Sequence, residues 1–362
     1  MQWRHETLNK DVLYELKSDN DSLKKLEIVS YGGTEFPDWV GNPSFHWLTH
    51  VTIYGCEECT FLPRLGQLPS LKELRIECTW NVKVVGLELL GPGDAFLSLE
   101  ILRFSCMLGW EVWSTNNSGV VGAAFPCLEE LFIQFCPKLV EVSLEALPSL
   151  RVLKVIGCGH GVLSSLVHIA SSVTKLEISL IKGLSDELWR GVIKNLVKVE
   201  EIRMIDCDEI RYLWESEAEA GKVLVNLREL EVRNCSNLVS LGEKEEDYGG
   251  SNLTSLRTSR VFNCKSLEHC SCPDSIESLT IWGCDSITSV SFPTGGGQKL
   301  KSVTIRDCKK LLEKDLGIEE KTRVLINSSM QMLQSIDIES WQNLKSITEL
   351  NLSMRDMQTI IA

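Results

Sequence analysis

The stretch Leu128-Glu-Glu-Leu131-Phe-Ile133-Gln-Phe-Cys136 is one unit of a pattern that most of the chain repeats. Written as apolar slots it reads L-x-x-L-x-I-x-x-C. Leu131 and Ile133 lie two residues apart, so both side chains project from one face of a short strand. Leu128 closes the turn before that strand and Cys136 closes the turn after it. A strand with a single apolar face cannot bury that face alone and needs a copy of itself on either side. The chain supplies the copies, beginning at Leu23, Leu48, Leu71, Leu99, Leu128, Leu150, Val173, Val199, Leu227, Leu256, Ile276, Leu300 and Leu333. Their mean spacing is about 26 residues, a period at which each repeat adds one strand to a stack that buries a shared core.

A period of about 20–29 residues with this slot pattern is that of leucine-rich repeats. The expected fold is therefore an α/β repeat solenoid. It would be a horseshoe with a continuous parallel β-sheet on the concave face and short helices, 3₁₀ turns or loops on the convex face. Residues 1–22 form a lead-in, residues 23–350 the repeat domain, and residues 351–362 an irregular tail. In the lead-in, Val12, Leu13 and Leu16 have helical spacing. Nothing before Leu23 resembles the polar cap that ends a repeat array, so the expectation is a chain cut from something larger. On the outer side, the Pro and Gly residues in Gly32–Gly41 and Phe61–Pro69 break helices and predict irregular or 3₁₀ turns. The segment Leu184–Leu196 has helical periodicity behind Ser185, a suitable N-cap. Four polar or charged stretches, Ser114–Gly122, Glu215–Glu219, Glu243–Asp247 and Glu313–Arg323, read as solvated excursions. Ser259 stands where an aliphatic residue belongs, which predicts a weak turn in the middle of the array.

Length alone, 362 residues, would suggest two domains, but a solenoid lengthens without thickening its core. A net charge of -13 and a pI near 5.1 argue against nucleic acid or an anionic membrane as the main partner. No apolar run approaches the ~20 residues of a membrane span. The N-terminal residues lack the apolar centre of a signal peptide, which points to a cytoplasmic protein, with nucleocytoplasmic or peripheral plasma-membrane placement as variants. Of the 14 cysteines, eight (Cys56, Cys136, Cys158, Cys207, Cys235, Cys264, Cys284 and Cys308) fall in the last slot of the repeat. There a thiol points inward and bonds backbone groups at the turn, so these are read as reduced structural residues.

Catalytic patterns are missing from the sequence. No G-x-x-x-x-G-K-[ST] occurs, and Thr294-Gly-Gly-Gly-Gln-Lys299 is misspaced for a phosphate loop. Cys56-x-x-Cys59 has no second CxxC at zinc-finger distance, and in the group Cys264, His269, Cys270 and Cys272 the first member already serves the repeat. No G-x-S-x-G or H-E-x-x-H is present, and the six histidines do not gather. The chain is therefore read as a binding module without cofactor, metal or catalytic residues.

Binding would then fall to the strand residues that face away from the core. These are the residue between Leu and Ile and the one after Ile. Equivalent positions on adjacent strands lie about 4.8 Å apart and form rows. The row after Ile includes Tyr54 and, on four consecutive turns, Arg233, Phe262, Trp282 and Arg306. The row between Leu and Ile shows Arg75, Arg103, Phe132 and Lys154, also on four consecutive turns. Arginine and aromatic residues dominate interface hot spots, so these two basic–aromatic patches are the candidate partner-binding residues.

Several motifs together resemble one family. Tyr31-Gly-Gly-x-x-Phe36-Pro-x-Trp39, Leu65-Gly-x-Leu68-Pro-x-Leu71-Lys-x-Leu74, Val84-Val-Gly-x-Glu88, Met107-x-x-Trp110-Glu-x-Trp113 and Phe125-Pro-x-Leu128-Glu-x-Leu131 are similar to the leucine-rich-repeat region of plant nucleotide-binding disease resistance receptors of the coiled-coil, RPP13-like type. The resemblance covers most of the chain, while the tail after Asn351 and the Ser259 slot depart from it. It implies a module that senses pathogen effectors, directly or through a guarded host protein, and that restrains a nucleotide-binding switch domain. ADP or ATP would belong to that upstream domain, so no nucleotide role transfers to residues here. The alternatives are a stand-alone truncated adaptor or decoy, and the substrate-recognition half of a ubiquitin-ligase adaptor of the F-box type.

Overall fold

The structure is a computed structural model that describes residues 10–15, 22–115, 121–242, 253–291, 299–312 and 335–338. Most of the lead-in, residues 116–120 of the polar loop, the excursions at 243–247 and 313–323, the glycines at 295–297 and the tail at 351–362 lie outside the described residues. So do Leu333 and Glu339 of the last repeat. The chain divides into two compact units, Met1–Lys182 and Gly183–Ala362.

Every copy of the pattern contributes one strand, and each strand begins two residues after the first Leu of its copy. In the first unit these are β1 (Lys25–Val29), β2 (His50–Tyr54), β3 (Glu73–Glu77), β4 (Ile101–Ser105), β5 (Glu130–Gln134), β6 (Val152–Ile156) and β7 (Lys175–Ser179). Consecutive strands pair in parallel without register slips, so Leu74 lies beside Leu102, Leu102 beside Leu131 and Leu131 beside Leu153. In the second unit β8 (Glu201–Ile205), β9 (Glu229–Arg233), β10 (Thr258–Phe262), β11 (Ser278–Trp282), β12 (Ser302–Arg306) and β13 (Ser335–Ile338) pair the same way. In β2 to β12 the second and fourth residues are buried, as in Leu131 and Ile133 of β5, and most of the others face outward, although Ser179 and Glu231 are buried as well. Each such Leu or Ile contributes roughly 1.5–3 kcal/mol by leaving water. The leucine-rich-repeat architecture expected from the period is the one observed.

The residue after each strand turns the chain through the left-handed region. This holds at Ser30, Gly55, Cys78, Cys106, Phe135, Gly157 and Leu180 of the first unit, and at Asp206, Asn234, Asn263, Gly283 and Asp307 of the second. The conformation aims the backbone N–H at the next strand, extending the ladder by one bond. Phe135 N donates to the Ile156 carbonyl at 2.7 Å, and Asn263 N to the Trp282 carbonyl at 2.7 Å. Gly, Asn and Asp enter this region readily, whereas a bulky side chain costs ~1–2 kcal/mol there.

The core of the first unit is aromatic around repeats four and five. Phe96 and Phe125 stack with centroids 5.0 Å apart, and Trp110 lies 4.7 Å from Phe104 and 5.6 Å from Trp113. The Trp110–Trp113 and Phe125 motifs are thus packing signals. On the outer side 3₁₀ turns form at Asp38–Gly41 and Leu65–Gln67, where irregular or 3₁₀ structure was expected. Gly41 is required there, because a Cβ would sit 2.3 Å from the Arg64 carbonyl oxygen. The lead-in helix is Lys10–Glu15, and its Leu13 carbonyl accepts from Trp39 Nε1 at 2.9 Å.

The helix expected behind Ser185 is Asp186–Ile193, with the Ser185 hydroxyl accepting from Leu188 N and Trp189, Val192 and Ile193 buried. Two outer-side features differ from expectation. The acidic stretch at Glu215–Glu219 is not a loop: Glu217–Val223 is a helix capped by Ser216, whose hydroxyl accepts from Glu219 N. The Ser-x-x-Glu capping pattern and a buried Ala220 outweigh the charge run, and acidic residues suit a helix N-terminus. A longer helix, His160–Ile169, also lies on the outer side, where Val162, Leu163, Leu166 and Val167 are spaced for one buried face.

Candidate interaction surface

The eight slot cysteines are all buried, and all are free thiols. Each donates to the carbonyl of the residue two before it, as Cys136 does to Gln134 at 3.4 Å and Cys158 to Ile156 at 3.3 Å. Burial pushes the Cys235 and Cys308 thiols up to about 12, so they stay protonated and unreactive at neutral pH. Cys59 donates to the Gly33 carbonyl at 3.0 Å, which makes Cys56-x-x-Cys59 part of the turn packing. Among the described residues no group of three or more His, Cys, Asp or Glu side chains is placed to hold a metal ion.

Register brings the expected rows together within each unit. In the first, Arg75, Arg103, Phe132 and Lys154 are successive lateral partners. The Arg103 guanidinium lies 3.6 Å above the Phe132 ring. Tyr54 stands on the same face, 40% exposed, beside Val29 and Glu77. In the second unit Arg233, Phe262, Trp282 and Arg306 are successive lateral partners. The Arg233 guanidinium lies 4.2 Å above the Phe262 ring, and Trp282 is 45% exposed with its Nε1 donating to Asp307 Oδ2 at 2.5 Å.

These patches are not basic in balance, which corrects the reading from two rows. Alternation along a strand exposes a third row, the residue before the second Leu, and that row is rich in glutamate. Glu73 pairs with Arg75 at 2.7 Å, with Arg103 at 3.7 Å and with His50 at 3.7 Å. Glu130 pairs with Arg103 at 3.7 Å, and Lys154 is held by Glu177 at 2.5 Å. In the second unit Glu229 of that row meets Arg260 at 3.2 Å, while Glu231, which like Glu177 lies in the row between Leu and Ile, pairs with Arg233 and lies 3.9 Å from Arg260. One carboxylate thus anchors two guanidiniums in each unit. The Arg103 Nε is buried and faces Glu73 at 3.7 Å without a hydrogen bond among the described residues. The signal that finds Glu73, Glu130 and Glu229 is the same period of two, carried one step further back along each strand.

The arrangement offers rigid arginines clamped over aromatic rings. Exposed ion pairs add little stability, ~0–1 kcal/mol each, but they fix side-chain geometry. A partner meets guanidiniums that are already oriented, which lowers the ordering cost of binding.

Comparison with known proteins places this geometry in context. The R13L1/DRL21 leucine-rich-repeat family model matches residues 2–79. The disease resistance RPP13-like protein 1 of Arabidopsis thaliana is 32% identical over 247 residues, 65% of this chain and 23% of that protein. The disease resistance protein RGA1 of Solanum bulbocastanum is 33% identical over 175 residues, 47% of this chain and 16% of that protein. The chain therefore spans under a quarter of the length of these relatives. Among solved structures, the leucine-rich repeat domain of the type III effector XopL aligns over 69% of this chain and 64% of that one, at 18% identity and a TM-score of 0.28.

Proposed function

The chain is a leucine-rich-repeat array related to plant disease resistance proteins, and from that premise we propose that it is the protein-recognition module of an immune receptor. The outward face of the second unit, carrying Arg233, Phe262, Trp282 and Arg306, receives the ligand. That ligand is a pathogen effector or a guarded host protein. In the absence of a ligand the array restrains a nucleotide-binding switch region outside this chain. It acts by binding, and no step of chemistry is assigned to its residues.

The observation that carries this reading is the Arg233–Phe262–Trp282–Arg306 row. It combines hot-spot residue types, in register, on strands whose backbones are locked on both sides. Its supports are the names of the relatives and the absence, among the described residues, of any helix long and apolar enough to cross a membrane. The test is the double reversal Arg233→Glu/Arg306→Glu. Binding to partner protein from infected leaf tissue is expected to fall at least about tenfold, while circular dichroism stays unchanged. Undiminished binding rejects the assignment.

A further inference from the structure

We propose that the turn rim of the first unit is a docking surface for a second copy of this chain, paired about a two-fold axis. The starting observation is strain that packing within the unit offsets only in part. Phe135 and Leu180 hold φ of 53° and 52°, a region bulky residues avoid. Phe96 and Phe125 hold similar angles of 53° and 57°, but they are fully buried and stacked, so burial compensates. Phe135 and Leu180 are instead 45% and 46% exposed. Strained, exposed, bulky side chains mark a surface kept for contact. Two more join them on the same rim, two residues past the strands' turns: Trp80 in repeat three and Leu108 in repeat four, both exposed. At the corresponding turn positions the second unit carries Asp206, Asn234, Asn263, Gly283 and Asp307.

Charge says what covers this stripe. Its repeat-two end carries Glu57 and Glu58, its repeat-five turn carries Lys138 and its repeat-seven end carries Lys182, all four exposed. None of them is in an ion pair among the described residues. With repeats about 4.8 Å apart, the two ends are separated by roughly 24 Å. A stripe that is acidic at one end and basic at the other is complementary to itself when a second copy lies antiparallel. That is the isologous contact a two-fold axis generates. Repeat two then faces repeat seven, setting Glu57 and Glu58 against Lys182 of the partner subunit. Leu108 and Phe135, in repeats four and five, meet each other across the axis. The stripe is narrow beside the ~800 Å² per partner of a stable interface, so the pairing is weak and concentration-dependent.

Sedimentation equilibrium of the full chain at physiological salt tests this. Wild type is expected to associate reversibly to a dimer, and Glu57→Lys/Glu58→Lys or Lys182→Glu to weaken that association at least about tenfold. Mixing the two variants restores it as a heterodimer, because each contact then joins opposite charges again. Recovery on mixing also shows that both variants are folded. Leu180→Gly, which relieves strain and removes an apolar contact, is expected to raise the melting temperature while lowering association. A chain that stays monomeric throughout, association that ignores both charge changes, or a mixture no stronger than its components overturns the proposal.

Discussion

The two units meet one backbone demand in opposite ways. Every strand must end in a left-handed residue so that its N–H reaches the next strand. The second unit fills those positions with Asp, Asn and Gly, which adopt the conformation readily, and Asn263 Nδ2 donates to Asn234 Oδ1 at 3.1 Å to link two turns. The first unit uses Cys78, Cys106, Phe135 and Leu180 at four of its seven turns. Their side chains are poorly suited to the backbone, and the largest two gain only partial burial. The contrast extends inward. The first unit packs Phe96, Phe104, Trp110, Trp113 and Phe125 into one cluster, while the second buries Ser259 in a strand slot that elsewhere holds an aliphatic residue. The first unit thus has a dense core with strained turns, and the second has relaxed turns with a flaw in its core.

Substitutions test this contrast. The largest effect belongs to Trp113→Ala, which opens a cavity against Phe104, Trp110 and Phe125. Urea unfolding of the first unit is expected to show a loss of about 3–5 kcal/mol. Next comes an exchange at the turns. Gly283→Ala puts a Cβ where φ is 70° and 2.4 Å from Asn263 Oδ1, and it should cost the second unit about 1–2 kcal/mol. Leu180→Gly should stabilise the first unit by about 1 kcal/mol. A loss at both sites would mean that the turns of the two units do not differ in strain. The smallest effect is expected of Ser259→Ala. The Ser259 hydroxyl is buried with no partner among the described residues, so removing it should stabilise the second unit by about 1 kcal/mol. Thermal unfolding that shows Ser259→Ala to be destabilising would mean the hydroxyl is satisfied.

The number of strands and their register were legible in the sequence because a period-two pattern inside a period of about 26 leaves one register that buries the apolar slots. The slot cysteines, the Ser185 cap and the 3₁₀ turns were legible for similar local reasons. The helix at Glu217–Val223 was obscured because charge suggested solvent while Ser216 and Ala220 encoded a cap and a buried face. The balance of the binding face does not follow from two outward rows, because each strand shows a third that carries Glu73, Glu130 and Glu229, and because Glu177 and Glu231 flank the basic residues within the row between Leu and Ile. The strain at Phe135 and Leu180 was beyond a reading by hydrophobicity, since a backbone angle does not follow from polarity. The column of Gly, Asn and Asp at equivalent turns was the available clue.

The proposed function requires that a partner protein meet the outward strand face, not the outer helices. A photo-crosslinking residue can be placed at Trp282 on that face and, in a second variant, at Leu188 on the helix Asp186–Ile193, both exposed. In extracts of infected leaf tissue, a discrete crosslinked protein partner is expected from position 282 and none from position 188. Equal yields, or a partner captured only from position 188, would contradict the proposed function.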